Sequence, residues 1–588
     1  MKKVIYISIT LSALILSACG DYYDTQNNPV TYGETYLDMK LSTDKASYAP
    51  DETVTFTLKN LPSGAKVRYF YLDEAIDSAS LTDKTWTWTP PAEDYKGYMA
   101  AVYTTNNSTE ELYTSIAVDV SSDWTKFPRY GFLSDYSKMS QVFIDNNIER
   151  LNRYHINGLQ FYDWLYDHQR PLAGTAENPA SSWLDIFDRT NYLSTVQGYI
   201  AAAQSKNIKT MFYNLCYGAL DDAASDGVED AWYVYTDQQH GNKDYHELSS
   251  GRSNIYIVNP ANTDWQQYLV KRNNDVYSVF GFDGYHIDQL GYRGDRYDYD
   301  GNSINMTAGY GSFINAMKTA EPNKNLVFNA VGGYGQSDIA NADVDFLYAE
   351  VWGARSGDEP ENSYADLISL MRDNVAQSNS EKNIVLAAYM DYDISTTSGY
   401  VNKPGILLAD ASIFAWGGAH LELGEHYLTN EYFPNDNLQM KSDLGQALVN
   451  YYDFLVAYEN LLRDGGEFQA ADVTFLNESI TAARWPADKG QVATIGKKVN
   501  GKDVIHLINF TDANSMQWRD SKGTQAEPTL ITAPSVSIPV SGTVSKVWFA
   551  SPDINNGLAN NLPFTQSGDQ VTVTLPSLKY WDMIVVEY

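Results

Sequence analysis

Eight short apolar runs between residues 129 and 425 limit the fold more than any other feature of this chain. They read RYGFLSDY (129–136), INGLQFYDW (156–164), KTMFYNLC (209–216), GYHIDQLG (284–291), NLVFNAV (325–331), FLYAEVW (346–352), IVLAAYMDY (384–392) and AHLELGE (419–425). Helical patterns lie between most of them, among them SQVFIDNNIERLNRY, TDWQQYLVKRNNDVYSVF and YADLISLMRDNVAQ. Eight strand–helix units in succession predict a (β/α)8 barrel.

The flanks change period. Before the barrel the runs ETVTFTLKN, AKVRYFYLD, KTWTWTP, GYMAAVYTT and TSIAVDV alternate with period two, separated by turn residues, and predict a small β-sandwich. After it GQVATIGKKV, KDVIHLINF, SKVWFAS, QVTVTL and WDMIVVEY return to that alternation. A chain of 588 residues is too long for one core, so the expected layout is a β-sandwich at 35–121, a barrel at 122–465 and a second β-domain at 466–588.

The first residues, MKKVIYISITLSALILSACG, carry two lysines, an apolar run and small residues before Cys19, which reads as a secretory signal over residues 1–18. Leu16-Ser17-Ala18-Cys19 resembles a bacterial lipobox, so Cys19 is the expected lipidation site, followed by a polar tether over 19–34. The chain is then expected as a secreted lipoprotein held to a membrane by its acyl chains alone, in the outer membrane or on its periplasmic or cell-surface face. Cys216, the other cysteine, sits in an apolar strand and reads as a core thiol. A formal charge of −33 repels phosphate backbones and argues against a nucleic-acid partner.

Barrel chemistry sits at the C-terminal ends of the strands. There the chain places Tyr162 and Asp163 with Trp164, then Tyr213 and Asn214, His286 and Asp288, Asn329, Glu350 and Trp352, Asp391, and finally His420, Glu422 and Glu425. Carboxylates, amides and aromatic rings converging on one mouth suit a sugar. Glycoside hydrolysis needs two carboxyls, one ionised and one protonated. Asp288 and Glu350, from the fourth and sixth strands, can face each other across a cleft, while others of these acids can equally hold loops or bind hydroxyls. Asp283 reads as structural. DRYDYDGNS (295–303) lacks the ligand spacing of an EF-hand and reads as an acidic loop. No metal-binding His/Cys cluster stands out, and no metal or cofactor is expected.

Several long segments carry a family resemblance: SSDWTKFPRYGFLSDY (121–136), INGLQFYDWLYDHQRPL (156–172), MFYNLCYGA (211–219), GFDGYHIDQLGYRG (281–294), FLYAEVW (346–352), AHLELGEHYL (419–428), EYFPN (431–435) and LKYWDMIVVEY (578–588). In these the chain resembles glycoside hydrolase family 66, the dextranases and cycloisomaltooligosaccharide glucanotransferases. The resemblance implies an immunoglobulin-like N-terminal domain, a catalytic (β/α)8 barrel and a C-terminal Greek-key β-domain. It implies endo-cleavage of α-1,6 links in dextran with retention, with Asp288 as nucleophile and Glu350 as acid/base. Sugar binding is assigned to Gln160, Tyr162, Asp163, Tyr213, Asn214, His286, Asn329, Trp352, His420 and Glu422. The expected partners are dextran and isomaltooligosaccharides, bound by a monomer. A cyclising glucanotransferase is the alternative within the family, disfavoured because no insert of roughly a hundred residues interrupts the barrel. A non-catalytic glycan-binding lipoprotein is the remote alternative.

Overall fold

The computed structural model describes residues 37, 39–106, 109–353, 363–379, 381–476 and 479–588. The signal segment 1–18, the tether 19–34 and Cys19 lie outside the described residues. Among the described residues no helix is long and apolar enough to cross a membrane.

Each of the eight apolar runs contains a strand: β1 (Tyr130–Leu133), β2 (Gly158–Phe161), β3 (Lys209–Leu215), β4 (Gly284–Asp288), β5 (Asn325–Phe328), β6 (Leu347–Val351), β7 (Ile384–Ala388) and β8 (Ala419–His420). Most strands end before the run does, because the last residues leave the ladder to form loops. β1 to β5 pair in parallel and in sequence order as one sheet. β6, β7 and β8 pair in parallel as a second sheet. Two links join their edges. Asn329 and Tyr348 form an isolated parallel bridge between the segments of β5 and β6. The Phe132 N–H of β1 donates to the Leu423 carbonyl beyond β8 at 3.2 Å.

Alternation decides what each strand buries. Tyr130, Phe132, Met211, Val327, Phe346, Tyr348, Val385 and Ala387 form one interior cluster. Their neighbours in sequence, such as Leu159, Phe212, Ile287 and Leu386, pack outward in the large core shared with the helices. Trp124 closes the end of the interior opposite the site, edge-on to Phe346 at 5.2 Å, with its indole N–H on Asn325 Oδ1 at 2.9 Å. Gly158 must lack a side chain there, since a Cβ would lie 2.2 Å from the Trp124 ring.

The helices are α1 (Gln141–Arg153), α2 (Leu193–Ser205), α3 (Thr263–Phe280), α4 (Met306–Ala320), α5 (Gln336–Ala340), α6 (Tyr364–Gln377), α7 (Lys403–Ala415) and α8 (Ser442–Ala457), with one further turn, α9 (Glu459–Leu462), among the described residues. Their ends follow capping chemistry. Ser140 caps α1, Asn262 caps α3, and Ser363 with Asp366 forms a capping box on α6. α3 ends at Gly281 with φ 71°, where the left-handed turn into β4 favours glycine.

Mostly antiparallel strands precede and follow this region in the chain. N-terminal strands between Leu41 and Val120 form a three-stranded and a four-stranded sheet around Val54, Phe56, Val67, Ala100 and Val118. C-terminal strands between Glu467 and Glu587 form a seven-stranded and a four-stranded sheet around Leu507, Phe549, Val571 and Ile584. Cys216 is a buried free thiol, as its apolar run suggested.

A buried ionic group ties the N-terminal sheets to the helices. Asp453 of α8 accepts from both Arg153 amino nitrogens at 3.1 and 2.9 Å, from His155 Nε2 at 2.7 Å and from the Ala117 N–H at 2.9 Å. Burial alone raises a carboxyl, but Arg153 and His155 hold Asp453 below its usual value. A depressed folded value stabilises the fold above the unfolded value and is lost as pH falls. Asp453→Ala leaves Arg153 buried without its partner and is expected to cost about 3–5 kcal/mol, measurable by denaturant unfolding at neutral pH.

Candidate active site

Asp288 is the last residue of β4, and a partly exposed carboxylate at the mouth of the strands. Three donors reach it: the Tyr213 hydroxyl on Oδ2 at 2.9 Å, and on Oδ1 the Gln289 N–H and Asn329 Nδ2, both at 2.8 Å. Glu350 lies in β6, 9% exposed, and its carboxyl accepts from the Tyr389 hydroxyl at 2.5 Å and from Asn329 Nδ2 at 2.9 Å. The Asn329 amide is oriented by its own oxygen, which accepts the Glu350 backbone N–H at 3.0 Å. One nitrogen thus donates to both carboxyls.

Burial raises both acids. On Asp288 the three donors oppose that rise. Glu350 is pushed up to about 7, by burial first and then by the negative charge of Asp288, with Tyr389 and Asn329 pulling the other way. Glu350 is therefore suited to keeping its proton near neutrality, while Asp288 has more donors to support its charged form.

Not all the residues read as site candidates come together here. Tyr213 and Asn329 touch the pair directly. Tyr162 stacks on Phe433 at 4.2 Å and lies 5.0 Å from the Tyr213 ring, so it walls the mouth. Trp352 packs edge-on to Tyr389 at 5.7 Å. Asp163 follows in a left-handed turn (φ 47°), 4.0 Å from Arg189, and burial pushes it up to about 7. His286 lies one pleat below Asp288, stacked between Tyr130 and Tyr213, and burial lowers it to about 3. It is a neutral ring in the interior. Gln160 is likewise buried, one pleat below Tyr162.

Three candidates lie away from the mouth. Asn214 turns to the opposite face from Tyr213 and is fully buried, with its amide committed to His168. His420 and Glu422 are buried between β8 and the helices: His420 Nδ1 meets Asp410 of α7 at 2.8 Å, and Glu422 accepts from Tyr452 of α8 at 3.0 Å. Glu425 holds the β1 loop through Ser134 and Asp135. Asp283 accepts from the N–H and hydroxyl of Thr210 at 2.9 Å, at the far end of β4, and is structural. In the 295–303 loop the Asp298 carboxylate accepts the N–H groups of Asp300 and Asn302.

Three residues missing from the candidate set reach the mouth. Tyr389 holds Glu350. Tyr392 donates to Glu431 Oε1 at 2.9 Å, and Tyr162 donates to the Glu431 carbonyl at 3.1 Å. Tyr389 and Tyr392 stood at the end of an apolar run, where tyrosine reads as core.

Asp410, His420 and Glu422 are the one group of three among the described residues whose donor atoms converge as metal ligands would, all within 4.8 Å of one another. Sequence spacing hid it, because α7 and β8 bring the residues together. His420 Nε2 faces the Ala388 carbonyl at 2.8 Å and so carries a proton. The 2.8 Å from Nδ1 to Asp410 is a hydrogen-bond length, and burial raises Asp410 and pushes Glu422 up to about 8.

Two carboxyls joined through one amide at the mouth of parallel strands are the equipment of a glycoside hydrolase. The sequence model for glycosyl hydrolase family 66 matches residues 43–585, and the chain belongs to that family. A cycloisomaltooligosaccharide glucanotransferase of Niallia circulans is 29% identical over 93% of this chain and 72% of its own length. That alignment runs over 709 positions against 588 residues here, so more than a hundred positions of the relative have no counterpart. A dextranase of Streptococcus salivarius is 24% identical over 84% of this chain and 67% of its own. The crystal structure of a Paenibacillus cycloisomaltooligosaccharide glucanotransferase complexed with cycloisomaltoheptaose superposes with a TM-score of 0.84 at 28% identity, over 93% of this chain and 99% of that one.

The Glu422 value sets a pH test. A carboxyl whose folded value of about 8 exceeds its ordinary 4.5 stabilises the fold below the ordinary value, and that contribution is lost as pH rises toward 8. Glu422→Gln keeps a neutral group in place and should flatten the fall in melting temperature between pH 5 and pH 8.

Proposed function

We propose that this enzyme is a retaining, endo-acting hydrolase of α-1,6-glucosidic links in dextran, with Asp288 as nucleophile and Glu350 as acid/base. The shared Asn329 carries the reading. Because its Nδ2 reaches one oxygen of each carboxyl at 2.8 and 2.9 Å, the two oxygens are held within about 6 Å, close to the short spacing of retaining enzymes and below that of inverting ones. The eight strands in sequence order, with links at both sheet edges, support a closed (β/α)8 barrel over 122–465. The flanking sheets support an immunoglobulin-like domain over 35–121 and a Greek-key β-domain over 466–588.

In the first step an Asp288 oxygen attacks the anomeric carbon and forms a glucosyl ester, while the bond to the 6-oxygen breaks and takes the Glu350 proton. Esterification removes the Asp288 charge, and the Glu350 value falls. Glu350, now ionised, takes a proton from water, whose oxygen attacks the same carbon. The ester opens, and glucose of the original α configuration is released at the new reducing end. Asn329 follows the charge as it moves between the carboxyls, and Tyr162, Tyr213 and Trp352 line the mouth that takes the sugar.

The glucanotransferase relatives favour a second reading, in which a sugar hydroxyl replaces water and the chain cyclises. The positions that the Niallia enzyme has and this chain lacks favour hydrolysis. Anchoring through Cys19 and display from a membrane belong to the same proposal.

Asp288→Asn and Glu350→Gln should each lower dextran cleavage by about 10²–10⁴-fold without loss of fold. kcat/KM should fall as pH rises past about 7, where Glu350 loses its proton. Sizing the products and recording their NMR spectra tests the rest: linear α-anomeric isomaltooligosaccharides are expected. Cyclic products would establish the transferase instead.

A further inference from the structure

The C-terminal region sends residues 511–525 out between its strands Lys502–Asn509 and Ile531–Thr532 and lays them against the loop that follows β7. The contact is specific. The Asp391 N–H donates to the Arg519 carbonyl at 3.0 Å, the Asp393 N–H to the Ser521 carbonyl at 2.9 Å, and the Tyr364 N–H to the Met516 carbonyl at 3.0 Å. Asp520 sits at the N-terminus of α7, where the helix dipole favours an anion, and accepts from Asn402 Nδ2 at 2.7 Å. Gly405 makes room, since a Cβ there would lie 2.6 Å from the Asp520 carboxylate. Trp518 is fully buried and Arg519 is 5% exposed.

The clamped loop serves the site. Asp391 adopts a left-handed turn (φ 54°), and its Oδ2 accepts the Asn402 N–H at 2.7 Å. This turn separates Tyr389, which donates to Glu350, from Tyr392, which donates to Glu431. The Arg519 guanidinium lies 3.8 Å over the Tyr392 ring, a flat cation on an aromatic face in a dry setting.

We propose that Arg519 is a positioning residue of the cleft: it seats Tyr392 against Glu431 and fixes the turn that holds Tyr389 on Glu350. This rests on the reading of Glu350 as acid/base. Glu350 is faced by Asp288 from β4, Tyr162 beyond β2, Tyr348 on its own strand, Tyr389 beyond β7 and Glu431 beyond β8. Tyr389 lowers its value and Glu431 raises it. Loosening the first and neutralising the second must therefore move the alkaline limb of the pH profile in opposite directions.

The test measures kcat and KM on dextran across pH for the full chain and three variants. Arg519→Ala is expected to lower kcat about tenfold, as a small misplacement of a reacting group does, with less change in KM and the alkaline limb moved up. Arg519→Met, which keeps the stem volume and loses the guanidinium, should do the same and covers the case in which the alanine variant fails to fold. Glu431→Gln should move the limb down. A lowered melting temperature with kcat and the limb unchanged in the folded Arg519 variants would overturn the proposal. Failure of the underlying reading looks different: Glu350→Gln would then keep wild-type activity.

Discussion

The Asn329 amide is the interaction on which the site depends. It sits where the five-stranded sheet ends and the three-stranded sheet begins, an edge joined by an isolated bridge and by the Asp345 N–H on the Leu326 carbonyl at 2.8 Å. Its side chain supplies what the ladder lacks. The oxygen accepts from the Glu350 backbone, and the nitrogen donates to Asp288 and Glu350. The element that joins the sheets and the element that spaces the carboxyls are thus one residue. Two acids this close repel when both are charged, and the shared amide donor offsets part of that repulsion.

What separates the two acids is the donors around them. Asp288 receives a backbone N–H, a tyrosine hydroxyl and the amide. Glu350 receives a hydroxyl and the amide, lies deeper, and feels the charge of Asp288. The surroundings therefore favour charge on Asp288 more than on Glu350. His286, close to Asp288 in sequence, is kept neutral by burial among aromatic rings.

Periodicity made the strands and helices legible, since α3 and α6 follow their apolar patterns from end to end. Asp288, Asn329, Glu350 and Tyr213 were legible because a barrel reading points to strand ends. The depth and phase of a side chain were not. Asn214 follows Tyr213 and faces the other way, and Gln160 and His286 lie one pleat too deep. His420 and Glu422 belong to a layer between strand and helix, which the start of a very short strand does not announce. Tyr389, Tyr392 and Glu431 stand in loops, whose course no period records. Arg519 lies more than a hundred residues from the tyrosine it covers, and nothing local links them.

The buried carboxyls also tie stability to pH. Burial pushes Glu350, Asp163 and Asp391 up to about 7, and Glu422 and Glu425 up to about 8. Each is an acid whose folded value lies above its unfolded one, so each stabilises the fold in its protonated form and stops doing so as pH rises. The same rise ionises Glu350 and adds charge to a chain that already carries −33. Asp453 works in reverse, held low by Arg153 and His155, and weakens the fold only on acidification. The proton that burial holds on Glu350 is therefore one of several that the fold holds, and all of them are released as pH rises.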